Sequence, residues 1–194
     1  MNILEGIEIL ESRILDARTG LPEEIFLFVS RITPLVNVDL LIRNEGGKTL
    51  LTWRNDEQCG TGWHVPGGIV RFQETIGQRI QLVAKQELGV EVSYREPAIA
   101  IHEIIRPSQR NRGHFISFLY SCELLNQLPA DRQYHDGVPQ NGQWCWHESC
   151  PQNILPIHRI YDKFIEAERN RNGFYTSIVS SQRDGTAKKE SITT

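Results

Sequence analysis

Trp63-His64-Val65-Pro66-Gly67-Gly68 is followed by Glu74 and then by Glu87-Leu88-Gly89-Val90. This frame constrains the chain more than any other feature, because it reads as strand, glycine loop, helix and helix stop. Gly67 and Gly68 allow close approach of the backbone to a ligand. Thr75 to Leu88 has helical spacing, and Gly89 is a good terminator. On a wheel at about 100° per residue, Ile76, Ile80 and Val83 form one stripe, and Glu87 falls within about 20° of Ile76. A carboxylate at the negative end of a helix dipole is poorly placed unless it has a partner. One alternative is a glutamate that turns back to water. The reading favoured here is a divalent cation, since Mg²⁺ takes oxygen ligands and is usually shared with substrate phosphates.

The 194 residues suggest one domain with extra ends. Hydrophobic residues at 39% and charged residues at 23% are ordinary for a globular protein. A formal net charge of -3 supplies no global basic field, so nucleic acid is not an expected partner. No apolar run approaches the ~20 residues of a membrane span, and Met1-Asn2-Ile3-Leu4-Glu5 lacks the pattern of a secretion signal. Cys59, Cys122, Cys145 and Cys150 lack metal-ligand spacing and read as reduced thiols of a cytoplasmic protein.

Along the chain, residues 1–18 carry Ile3, Ile7, Leu10 and Ile14 at helical spacing, and 23–31 predicts a second short helix. Leu35 to Arg43 reads as a strand, 45–48 as a hairpin turn, Thr49 to Trp53 as the returning strand, and 55–62 as a loop. Ala98 to Ile105 and His114 to Glu123 read as strands around a basic loop, 106–113. Residues 126–143 form a polar loop, Trp144 to Trp146 a short strand, and Pro156 to Arg171 a helix. The polar end, 180–194, predicts disorder.

The glycine–helix frame resembles the Nudix box, and the resemblance covers roughly residues 33 to 170. It implies an α/β/α sandwich with a mixed β-sheet between helices. The domain expectation is a helical extension over 1–32, a Nudix hydrolase domain over 33–172 and a tail over 173–194. The box departs from the family at Leu82, Val83 and Gln86, where arginine and glutamates are expected. One branch tolerates this loss, the GDP-mannose mannosyl hydrolases. Thr33-Pro34-Leu35-Val36, Asp39, Leu50-Leu51-Thr52-Trp53-Arg54 and Ala84-Lys85-Gln86-Glu87-Leu88-Gly89 all resemble that branch in order and spacing.

The resemblance implies a Mg²⁺ enzyme, with Mn²⁺ as the alternative cation, that releases the sugar of a nucleoside-diphosphate sugar by attack at C1. It implies Glu87, the Gly67 carbonyl and Gln133 as metal ligands, and a loop histidine, His135, as the base; Tyr134 separates Gln133 from His135 here. It assigns Asp39 and Arg54 to binding and stabilising the leaving nucleotide. From the residues alone, a mid-strand Asp39 needs a partner, and Arg54 is the expected one. The branch carries an arginine where this chain has Ile69, and Arg71 is the candidate substitute for substrate binding. Arg106, Arg110, Arg112 and His114 read as a solvated hairpin tip, and His64, His102, His147 and His158 receive no role. The N-terminal helices resemble a dimer-forming start, so a homodimer is expected. Two rivals are attack on phosphorus of another nucleoside diphosphate derivative and a non-catalytic nucleotide-binding module.

Overall fold

The computed structural model describes residues 2–56 and 60–166. Its elements are α1 (Ile3–Glu11), α2 (Glu23–Val29), β1 (Leu35–Ile42), β2 (Thr49–Asp56), β3 (Gly60–His64), β4 (Gly67–Ile69), α3 (Ile76–Val83), β5 (Val92–Tyr94), β6 (Ala100–Ile105), β7 (His114–Leu124), β8 (Trp144–His147) and α4 (Asp162–Ile165). The expected tail, 173–194, lies outside the described residues. Among the described residues, no helix is long and apolar enough to cross a membrane.

Two sheets carry the fold. In the larger, mixed sheet β1 lies between β4, antiparallel to it, and β7, parallel to it; β5 and β6 both pair with the other side of β7. The smaller sheet has the order β3-β2-β8 and is antiparallel. The expected β1–β2 hairpin is therefore corrected. The turn forms, with Asn44 N–H donating to the Lys48 carbonyl at 3.1 Å. The strands then diverge, because β4 and β7 occupy both edges of β1, and only Arg43 and Thr49 bridge.

Period-2 alternation sends β1 into two cores. Val38, Leu40 and Ile42 join Ile80, Val83, Ala84 and Leu88 of the box helix in one cluster. Leu41 joins Trp53, Trp63, Tyr161, Phe164 and Ile165 in the other. The sheet is thus covered by the box helix on one face and the C-terminal helical segment on the other, the sandwich that the box implied.

The box helix starts where expected. Thr75 caps it: Gln78 N–H donates to Thr75 Oγ1 at 3.2 Å, and Thr75 N–H donates to Gln78 Oε1 at 2.8 Å. Its last turn, Ala84–Leu88, widens into a π-helical turn before Gly89, which ends it at φ +73°. Other boundaries shift. The glycine pair opens a short strand, not a loop, and β2 and β3 reach into the expected loop at 55–62. The strand β5 has three residues, too few for a recognisable alternation. The C-terminal helix begins as a 3₁₀ segment, Pro156–Tyr161, before α4, and its expected end at 167–171 lies outside the described residues.

The two N-terminal helices differ in their packing. The shorter, α2, buries Ile25. It also holds the β6–β7 tip: Arg31 donates to Asn111 Oδ1 at 3.0 Å, and Arg112 N–H donates to Ser30 Oγ at 3.1 Å. By contrast, α1 ends at Glu11 and buries no residue; Ile3, Leu4, Ile7, Ile9 and Leu10 are all exposed.

Candidate active site

Asp39 lies in the middle of β1, on the face shared with Asn37 and Leu41, and is 3% exposed. A carboxyl there needs donors, because burying it unpaired is costly. Three side chains supply them. Tyr161 O–H donates to Asp39 Oδ2 at 2.5 Å, Asn37 Nδ2 donates to the same oxygen at 2.9 Å, and Ser117 O–H donates to it as well. The expected Asp39–Arg54 pair is thus corrected: parallel pairing brings Ser117 beside Asn37, and the C-terminal segment delivers Tyr161. Burial still dominates and pushes the Asp39 carboxyl up to about 6, against the opposing pull of the Ser117 and Tyr161 hydrogen bonds. Burial and the facing Asp39 push the Tyr161 phenol well above its ordinary range. Gly67 lies opposite Asp39 in the β1–β4 pairing. A Cβ on Gly67 would collide with Asp39 Oδ1 and stand 2.9 Å from the Val38 carbonyl oxygen, so the position requires glycine.

Arg54 reaches the other carboxylate. It donates to Glu87 Oε1 at 3.0 Å and lies 3.6 Å from Asp56. His64 Nε2 is 3.2 Å from Glu87 Oε2, and Thr52 O–H lies 3.5 Å from that oxygen. Thr52 and His64 face each other across the β2–β3 register. Glu87 therefore points where the helical stripe indicates, and the smaller sheet meets it with a cation, an imidazole and a hydroxyl. Arg132 donates to the Glu87 backbone carbonyl, joining the polar loop to the end of the box helix.

A cleft of about 330 Å³ opens beside Asp39, Arg54 and His64. Its lining includes Asp39, Arg54, His64, Gly67, His158 and Tyr161. The β6–β7 tip adds Arg106 and Arg112, so among the described residues three arginines and one carboxyl line the cleft. The solvated-tip reading is corrected for these two arginines, because α2 folds the tip over the cleft. Arg112 takes φ +54°, a conformation unfavourable for a residue with a side chain. It is held there by the Ser30 hydrogen bond and by the Phe26 ring, 5.7 Å from its guanidinium carbon.

Glu87, which meets the cleft through Arg54 and His64, and the remaining expected site residues, Arg71, Gln133 and His135, fall outside this lining. Arg71 packs against the N-terminal segment, where a Cβ on Gly20 would lie 3.7 Å from its guanidinium carbon, and its N–H donates to Glu74. Gln133 forms a backbone bridge to Trp144, beside the arginine that holds the Glu87 carbonyl. His135 is exposed, next to a Tyr134 whose ring packs 5.5 Å from Trp63. His64, His158, Ser117, Tyr161, Arg106 and Arg112 were not assigned from sequence. Nothing local marks them, because they come from β3, β7, the β6–β7 tip and the C-terminal segment.

Among the described residues, no group of three or more His, Cys, Asp or Glu side chains is arranged to hold a metal. Glu87 keeps a side chain 21% exposed, with its oxygens shared by Arg54 and His64. That donor set fits a hard divalent cation only when a diphosphate brings further oxygen ligands.

A model of the NUDIX domain matches residues 33–167. The low-salt glycan biosynthesis protein Agl8 of Haloferax volcanii is 43% identical over 75 residues, 39% of this chain and 47% of that protein. The match therefore spans about half of that relative. A NUDIX hydrolase from Nitrosomonas europaea superposes with a TM-score of 0.55 at 19% identity, covering 75% of this chain and 77% of that one. An ADP-ribose pyrophosphatase from Streptococcus suis gives 0.51 at 18% identity, covering 75% and 98%. At such identities these structures share the fold.

The Asp39 carboxyl has a definite signature. Its folded pKa, about 6, lies above the ordinary 3.8, so the folded state keeps this proton to higher pH than the unfolded chain does. Its stabilising contribution is full below about pH 4 and declines as pH rises to about 6. Asp39→Asn cannot titrate. The stability of wild type minus that of Asp39→Asn should fall by a few kcal/mol between pH 4 and 7, at about 1.4 kcal/mol per pK unit. Urea unfolding across this range checks it; a flat or rising difference would contradict the buried-carboxyl account.

Proposed function

We propose that this chain, which belongs to the Nudix family, is a hydrolase of nucleoside-diphosphate sugars of the GDP-mannose kind. The observation that carries the reading is the grouping of Arg54, Arg106 and Arg112 around one cleft with a single carboxyl among the described residues, an arrangement suited to a diphosphate. The partial likeness to a protein described as acting in glycan biosynthesis supports a sugar-bearing substrate. The non-catalytic rival has less support, because Glu87 is kept and is held by Arg54, one of the three cleft arginines.

In the proposed reaction, the oxygen of water bonds to the sugar C1. The C1–O bond to the diphosphate breaks, and the nucleoside diphosphate leaves with the bridging oxygen and its electron pair. Arg106, Arg112 and Arg54 bind and stabilise the leaving diphosphate. Asp39 holds Tyr161 and Ser117 in the cleft floor and keeps Gly67 close. We retain His135 as the proposed base that takes the proton of water, a role that rests on the resemblance and requires the 126–143 loop to close over bound substrate. Arg71 is proposed to reach the substrate only if it leaves Gly20. Glu87, the Gly67 carbonyl and Gln133 are the proposed holders of Mg²⁺ or Mn²⁺. When bound, the cation supplies charge neutralisation to the diphosphate.

The exposed apolar residues of α1 are proposed to form a homodimer contact, with Ile3, Ile7 and Leu10 among them. Sedimentation at micromolar concentration should give a dimer, and Ile7→Glu a monomer; a wild-type monomer would remove this contact.

Hydrolysis of GDP-mannose in ¹⁸O water separates the two chemistries. Label should appear in mannose, and label in phosphate would establish attack on phosphorus. His135→Gln should lower turnover by ~10²–10⁴-fold, and unchanged turnover would exclude it as the base.

The cation reading has its own test. Calorimetric titration of Mg²⁺ should show weak binding to the protein alone and much tighter binding with GDP present. Glu87→Gln should abolish most of that gain; an unaltered Mg²⁺ affinity would remove Glu87 from the ligand set.

A further inference from the structure

Two histidines meet beside the cleft, with ring centroids 5.6 Å apart, and they are held in different ways. His64 is buried against Glu87 and Thr52. His158 stands on the 3₁₀ segment Pro156–Tyr161 and lines the cleft, partly exposed. Its Nδ1 accepts the Val65 N–H at 3.3 Å. In a neutral imidazole the nitrogen that accepts carries no proton, so Nε2 carries it. Desolvation, reinforced by neighbouring His64 and Arg54, holds the ring well below its ordinary pKa. Among the described residues, the Nε2 atoms of His102, His114 and His147 are buried without a hydrogen-bond partner, and that of His158 is not among them. His158 thus presents one fixed, uncharged donor, with no described protein acceptor for it.

A phosphate would be drawn to the three guanidinium groups, which are charged and far stronger partners. A neutral N–H suits a neutral oxygen. The residues around His158 have the same character: Leu155, Ile157 and Ile160 line this part of the cleft, and the Tyr161 hydroxyl is already used by Asp39. Apolar surface with one polar donor fits a sugar ring, which has C–H faces and hydroxyl edges. We propose that His158 is a specificity-determining residue whose Nε2–H donates to a hydroxyl oxygen of the substrate's sugar. This rests on the nucleotide-sugar reading above.

The test uses the full chain with Mg²⁺, GDP-mannose as substrate and GDP as product inhibitor, and two variants. In His158→Asn the amide oxygen stands near the place of Nδ1 and can still accept the Val65 N–H, but nothing replaces Nε2. In His158→Gln the amide NH₂ restores a donor near Nε2. His158→Asn should raise KM for GDP-mannose about five- to ten-fold, the value of one neutral hydrogen bond. The inhibition constant of GDP should stay within about two-fold, because GDP has no sugar at that end. His158→Gln should recover most of the loss. An unchanged KM in His158→Asn overturns the proposal, as does an equal weakening of GDP or a greater loss in His158→Gln than in His158→Asn, which marks a role in holding Val65. If wild type is not inhibited by GDP and does not turn over GDP-mannose, the nucleotide-sugar reading fails and this proposal fails with it; GDP inhibition of wild type separates the two failures.

Discussion

A carboxyl placed in the middle of a buried strand is stable only if other elements bring hydrogen-bond donors to it. At Asp39 the donors come from three places: Asn37 on its own strand, Ser117 on the parallel neighbour, and Tyr161 on the C-terminal segment. The same group sets the distance to the glycine strand, because Asp39 Oδ1 fills the space that a side chain at 67 would need. The parallel pairing, the seat of the last helical segment and the close approach at Gly67 therefore all depend on one buried polar group. Partly satisfied, such a network would cost the fold much more than an apolar residue would.

The second polar knot is Glu87. The box helix and the small sheet meet mostly through apolar packing, but beside the cleft they meet through Arg54, Thr52 and His64 on one carboxylate. The widened last turn of the helix sits at this point, as such turns often do at functional sites. With Arg54 beside it, Glu87 is a shared acceptor, which makes a cation here depend on oxygens that a diphosphate brings.

The third feature is the basic tip between β6 and β7. Its charges resemble any solvated turn until α2 is considered. Ser30, Arg31 and Phe26 hold the tip, and Leu27 joins Arg106 and Arg112 in the cleft lining. The N-terminal extension is thus part of the site's wall through α2, while α1 contributes nothing to the core.

Much of this was legible in the chain. The glycine–helix frame, the helix start near Thr75 and its stop at Gly89, the alternation of β1 and the side of the helix that carries Glu87 are local properties, governed by periods of 3.6 and 2 and by glycine's backbone freedom. The fold class and the family were implied by the resemblance of this frame to the Nudix box. The partners of Asp39 and Arg54 were not legible, because each was decided by which strand lies next to which. A turn between β1 and β2 predicts a hairpin, yet β4 and β7 take both edges of β1 and force the strands into separate sheets. For the same reason His158 and His64, almost a hundred positions apart, meet only after the C-terminal segment packs on the sheet. Sequence alone determined the elements and the residue types that need partners; tertiary structure decided the partners, because burial and pairing across the sheet are non-local.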